Sequence, residues 1–207
     1  MLRTIKGYLF PLVILVSIVS FSGCAGRNYL IVDYQVPTSS HELDGQMVRL
    51  QVEDARQSGS ILSSEAAYQF PEFSGIYSLA WILPSQERVL AGEHQLMELF
   101  KTVFEKRLAE LGVSTVYTDD EKVALLTITL KQFRVDLQSH KWMADLSYDA
   151  VLTQPNHPIA KENIHGSAER ARIIGRKGAD TVLSDIFSDV VNRLDFPKLF
   201  RNAKLIP

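Results

Sequence analysis

Cysteine is almost missing: the 207 residues contain one, Cys24. A single thiol excludes an internal disulfide and a multi-thiolate metal site, so the fold must hold by its core alone. Surplus positive charge is missing too. There are 22 Lys and Arg against 24 Asp and Glu. That balance offers no basic excess to a phosphate backbone, and nucleic acid is not an expected partner. The longest apolar run, residues 8–21, is 14 residues long, short of the roughly 20 that a spanning helix needs. Catalytic signatures are absent as well. The histidines His41, His94, His140, His157 and His165 form no H-x-x-x-H or H-E-x-x-H spacing. No G-x-S-x-G occurs. In "GRKGAD" (175–180) the lysine precedes the last glycine, whereas a phosphate loop places it after. We therefore expect no cofactor, no metal and no enzymatic activity.

The start of the chain carries more information. Arg3 and Lys6 precede the apolar run, and Ser22 and Gly23 follow it. A cationic start, a short apolar core and a small-residue boundary make a secretory signal peptide. Cys24 comes next, and "FSGC" resembles the bacterial lipobox, with Phe21 where leucine is usual. The resemblance implies a diacylglyceryl thioether on Cys24, cleavage before it and acylation of the freed amine. Three acyl chains exceed the two signals that stable anchoring requires. Ala25 in place of aspartate implies, by the sorting rule that the motif resembles, the outer membrane. The expected organisation is a lipoprotein signal peptide (1–23), a lipidated tether (24–46) and a single periplasmic domain (47–207). Within the tether, "YLIVDYQV" (29–36) is strand-like.

Periodicity sets the fold class. Residues 47–56 and 140–154 alternate apolar and polar, as half-buried strands do, and 76–83 and 159–173 read as further strands. In 122–137 the apolar set moves from Leu126, Ile128 and Leu130 to Phe133, Val135 and Leu137. A one-residue slip of this kind predicts a β-bulge near Lys131 and Gln132. Leu96, Leu99, Phe100, Val103, Phe104, Leu108 and Leu111 step by three or four, which predicts an amphipathic helix, and Gly112 predicts its left-handed cap. A second helix follows from Ala179, Val182, Leu183, Ile186, Phe187, Val190 and Leu194. The expected fold is α+β, a mostly antiparallel sheet with the two amphipathic helices packed on one face.

Few residues suggest a site. Phe70, Phe73 and Tyr77 lie in an aromatic, Pro- and Gly-bearing stretch of the kind that meets a partner surface. Arg172, Arg176 and Lys177 form a local basic run suited to lipid headgroups or to a partner's acids. Asp119, Asp120 and Glu121 are consecutive, whereas a calcium loop needs spaced oxygens, so they read as a polar loop. His165 beside Gly166 and Ser167 is the one hint of acyl chemistry.

Several stretches together resemble a family. They are Val52 to Arg56 ("VEDAR"), Leu108 to Gly112 ("LAELG"), residues 126–136 ("LTITLKQFRVD"), a tryptophan-bearing strand, Gly166, Ser167 and Glu169, and the last helix. The pattern resembles the YajG-like bacterial lipoproteins and, more loosely, auxiliary lipoproteins of envelope ABC transporters. The resemblance implies a non-enzymatic cell-envelope lipoprotein. Its acyl chains would hold the membrane while its periplasmic domain binds a partner protein or lipid in transport or assembly. The alternative is a lipid-anchored periplasmic hydrolase or cell-wall enzyme.

Overall fold

The structure is a computed structural model that describes residues 28–172 and 177–207. In chain order the elements are β1 (Tyr29–Gln35), β2 (Met47–Asp54), α1 (Ser64–Gln69), β3 (Ile76–Ile82), β4 (Arg88–Gln95), α2 (Leu96–Ala109), β5 (Ser114–Thr115), β6 (Ala124–Gln138), β7 (Lys141–Thr153), β8 (Ala160–Ala171), α3 (Lys177–Asn192) and α4 (Phe196–Asn202). The strands form two sheets, one of three strands in the order β1-β3-β4 and one of five in the order β5-β2-β6-β7-β8.

Alternation builds the larger sheet. Every even-numbered residue of β7 from Trp142 to Leu152 is buried. In β6 the inward set is Ala124, Leu126, Ile128 and Leu130, then Phe133 and Val135. The register with β7 shifts between Leu130 and Gln132, which is the bulge that the change of phase demands. Both long helices reach the inner face of this sheet through aromatic rings. Phe100 and Phe104 of α2 meet Phe133 and Tyr148 at 5.7 and 5.4 Å between centroids, and Phe187 of α3 meets Phe133 at 6.3 Å.

The sheets are mixed, which corrects the expected mostly antiparallel architecture. The pairs β1/β3, β2/β5 and β2/β6 run parallel, and β3/β4, β6/β7 and β7/β8 run antiparallel. The reason is topological. After β2 the chain leaves to build the β3–β4 hairpin of the other sheet and returns through α2. The next strands beside β2 are therefore separated from it by a crossover, and a crossover permits parallel pairing. The expected tether also needs correcting. Leu30, Val32 and Tyr34 are fully buried, β1 pairs along its length with β3, and Leu43 is buried beyond it. The folded body begins at β1, not near Met47, because these alternate side chains form part of the core.

The free edge of β1 is covered by α3. The backbone N–H groups of Ile31, Asp33 and Gln35 donate to Asp180 Oδ1, Ser184 Oγ and Ser188 Oγ at 2.9, 2.9 and 3.0 Å. Asn192 donates to the Gln35 carbonyl at 2.8 Å. The spacing matches: two strand residues advance about 6.6 Å, and four helix residues about 6 Å. One polar column of the helix thus replaces the missing neighbouring strand and blunts an edge that would otherwise invite pairing. Each hydroxyl contributes about 0.5–1.5 kcal/mol net, so the double variant Ser184→Ala, Ser188→Ala should lose roughly 1–3 kcal/mol in urea unfolding. A loss below a few tenths would show that water substitutes freely there.

Two glycines allow close packing. Gly112 has φ of +83°, and a Cβ there would meet Asp44 Oδ1 at 1.8 Å. It ends α2 with the paired bonds of a Schellman cap, Gly112 N–H to the Ala109 carbonyl and Val113 N–H to the Leu108 carbonyl, both at 3.0 Å. Gly166 lets α3 lie on β8, because a Cβ there would approach Val190 Cγ2 to 2.7 Å.

The elements share two ends. Tyr29 pairs with Ile76, and Ile76 with Gln95, next to the start of α2. Helix α3 runs alongside β1 in the same direction and opposite to β8, as the Arg170–Asp185 ion pair and the approach of Val190 to Gly166 show. The start of β1 is therefore at the same end as the β6–β7 turn and the end of β8, here called proximal. The distal end holds the starts of β2, β6 and β8 and the end of β7.

Candidate functional site

The expected contact residues do not form one surface. Cys24 and Arg176 lie outside the described residues, and Lys177 opens α3. Phe70 and Tyr77 are 3% and 2% exposed, which corrects their assignment as an aromatic contact surface. Phe70 packs on Trp142 at 5.9 Å, and Tyr77 on Phe133 at 6.3 Å, with half-buried Phe73 edge-on to Tyr77 at 5.6 Å. These rings join the two sheets. Burial pushes the Tyr77 hydroxyl pKa far up. The exposed aromatic of the stretch is Tyr68, 83% exposed on α1, a neighbour that the sequence reading did not select. Arg172 donates from Nη2 to Gln69 Oε1 at 2.8 Å and from its backbone N–H to the His140 carbonyl at 2.8 Å, tying α1 to the proximal ends of β7 and β8.

Among the described residues no group of three or more His, Cys, Asp or Glu is placed to hold a metal. Asp120 accepts from the Lys122 N–H at 2.9 Å and donates its own N–H to Thr118 Oγ1 at 3.2 Å, which makes the acidic run a turn. His165 is exposed on the outer face of the large sheet, opposite Ser147. No serine or carboxylate among the described residues is bonded to its ring, although its carbonyl accepts from Arg193 at 2.6 Å.

A half-open cavity lies near the proximal end, between the segment after β2 and the start of β3. It measures about 410 Å³ and is lined by Arg56, Ser60, Phe73, Ser74, Tyr77 and Gln95, with others. The Arg56 side chain is only 7% exposed. Its Nε and Nη2 donate to Asp54 at 2.9 and 2.8 Å, and these bonds hold the Asp54 carboxyl below the usual range. Arg56 Nη1 is buried with no acceptor among the described residues. The cavity can supply donors to an uncharged oxygen but brings together no nucleophile and base.

Elsewhere among the described residues, five of the six exposed large hydrophobic residues belong to the distal half. Met47, Tyr117 and Ile159 stand along the distal end of the five-stranded sheet, with Tyr117 and Ile159 at 77% and 71% exposure, and Val89 and Leu90 lie in the distal half of β4. Tyr117 is propped by Lys101, whose Nζ lies 5.0 Å from the ring centroid. Tyr68 is the one at the proximal end. The signal for this asymmetry is weak in sequence, because Met47, the Val89–Leu90 pair, Tyr117 and Ile159 belong to four separate stretches of the chain.

No known family matches the chain by sequence, and no curated protein does. Among solved structures, the chain shares its fold with protein XCC0632 from Xanthomonas campestris, described as DUF330. The TM-score is 0.54 at 12% identity, covering 84% of this chain and 97% of that one. PelC from Paraburkholderia phytofirmans, crystallised as a dodecamer, aligns over 75% of this chain and 93% of its own at 8% identity, with a TM-score of 0.33. That value is too low to bear on the fold.

Proposed function

We propose that this chain is a lipid-anchored lipoprotein of the bacterial envelope whose domain binds a partner and catalyses nothing itself. In this reading Cys24 carries the acyl chains, the domain lies on the periplasmic face of the outer membrane, and its role is accessory to transport or assembly. The resemblance to YajG-like lipoproteins, and more loosely to ABC-transporter auxiliary lipoproteins, belongs to the same proposal.

The observation that carries the partner-binding part is the asymmetry of exposed apolar residues. Met47, Tyr117 and Ile159 are spread over the end opposite the one where the described chain starts. Exposed apolar groups gathered at one end mark an interaction surface more often than isolated ones do. Four strand spacings separate β5 from β8, about 19 Å, a span that a protein partner can cover. The alternative of an anchored hydrolase draws no support from His165, whose ring is unbonded to serine or carboxylate among the described residues.

The test is co-purification from mildly solubilised membranes. The double variant Tyr117→Ser, Ile159→Ser should keep its thermal unfolding midpoint within a few degrees and lose the envelope component that the wild type retains. An unchanged complex, or no component retained by the wild type, would count against the reading.

A further inference from the structure

We infer that the proximal end of the domain rests directly on the membrane that holds the anchor, with Tyr68 among the lipid headgroups and the distal apolar residues facing away. The inference rests on the proposed acylation of Cys24 and goes beyond it by fixing an orientation.

The first argument is length. Asn28 is tied to the proximal end, where its carbonyl accepts from Ser74 N–H at 3.0 Å and Ser74 Oγ at 3.1 Å. Only four residue steps separate it from Cys24, and four steps reach at most about 14 Å. The 13 residues of β7 span about 43 Å along the sheet. A tether so much shorter than the domain, fixed at one end of it, cannot let the domain stand on its other end. The expected tether of residues 24–46 would have allowed any orientation, and the burial of β1 removes that freedom.

The second argument is what this end presents. Helix α1 is pinned there by Phe70 on Trp142 and by Gln69 with Arg172, and its Tyr68 projects 83% exposed. A tyrosine ring with its hydroxyl suits the headgroup layer, where one part of the side chain is apolar and the other wet. Charge does not drive the contact. Lys141 is paired with Glu169 at 2.8 Å and Arg170 with Asp185 at 2.6 Å, so two of the described cations at this end already have carboxylate partners. Zwitterionic lipid should therefore suffice.

The test uses the acylated full-length protein in phosphatidylcholine vesicles carrying a headgroup-nitroxide lipid. A fluorophore is attached at Tyr68→Cys or, separately, at Tyr117→Cys. Quenching should be several-fold stronger at position 68. Inserting twenty Gly and Ser residues after Ala25 adds a coil of about 25 Å mean reach and should bring the two positions toward equality. Equal quenching without the insertion, or stronger quenching at position 117, would overturn the orientation while leaving the anchor intact. Failure of the protein to float with the vesicles would instead remove the anchor, and the orientation with it.

Discussion

Replacing Phe187 by alanine is expected to cost about 3–5 kcal/mol, the usual range for truncating a buried phenylalanine. Few single changes in this domain should cost more, because of where the ring lies. Phe187 is fully buried on α3 and meets Phe100 of α2 at 5.0 Å, Tyr34 of β1 at 6.3 Å and Phe133 of β6 at 6.3 Å. One side chain thus joins both long helices and both sheets. The neighbours are themselves large rings and cannot collapse into the space without leaving their own contacts, so the cavity term persists. Against a total of about 5–15 kcal/mol for an ordinary domain, such a loss leaves a substantial unfolded population at 37 °C. Phe187→Leu keeps most of the volume and should cost less than half as much. Urea unfolding of both variants measures the difference. A loss under about 1 kcal/mol for the alanine variant would mean that the aromatic cluster is not the centre of the core.

The second large effect is expected at Cys24. Cys24→Ser would remove the proposed thioether site, and the protein should then move from the membrane fraction to the soluble one almost completely. Each buried methylene contributes about 0.8 kcal/mol, and a single chain already gives marginal binding, so losing all three leaves nothing of comparable strength. No helix among the described residues is long and apolar enough to cross a membrane, and one exposed tyrosine does not replace an anchor. Fractionation combined with thermal unfolding separates loss of the anchor from loss of the fold. Continued sedimentation of a folded Cys24→Ser protein with membranes would contradict the anchor.

The parts of the fold legible in sequence were those where one period persists. The apolar steps of α2 and α3, the even-numbered face of β7 and the phase change at Lys131 and Gln132 all correspond to observed elements. Three things were not legible. Strand β4 carries Gly92 at a register shift and exposes Val89 and Leu90, so it shows no alternation. Residues 29–36 read as a strand, which β1 bears out, but nothing local places that strand in the core. Its exposed edge is covered by a column of carboxylate, hydroxyl and amide groups about 150 residues later, which local pattern does not announce. The pairing of β2 with β6 is likewise a product of topology. For the candidate site, composition drew attention to the aromatics of residues 68–81, but only packing decides which face inward. Phe70 and Tyr77 do, and Tyr68 does not.

Electrostatics follows the same division. On the outer face of the large sheet, burial pushes the Asp149 carboxyl up, but Lys161 at 3.0 Å, Asn163 and Lys131 outweigh it and hold it below the usual range. Asp136 behaves alike: burial raises it, and bonds from Ser63, Gln138 and the Leu137 N–H, with Arg134 nearby, bring it down. Both carboxylates are spent on structure.

The most direct test of the lipid-anchor account is mass spectrometry of the N-terminal peptide of the mature protein isolated from membranes. The account predicts a chain that begins at Cys24, with diacylglycerol on Sγ and an acyl group on the α-amine. A free Cys24 thiol, or a peptide still carrying residues 1–23, would contradict it.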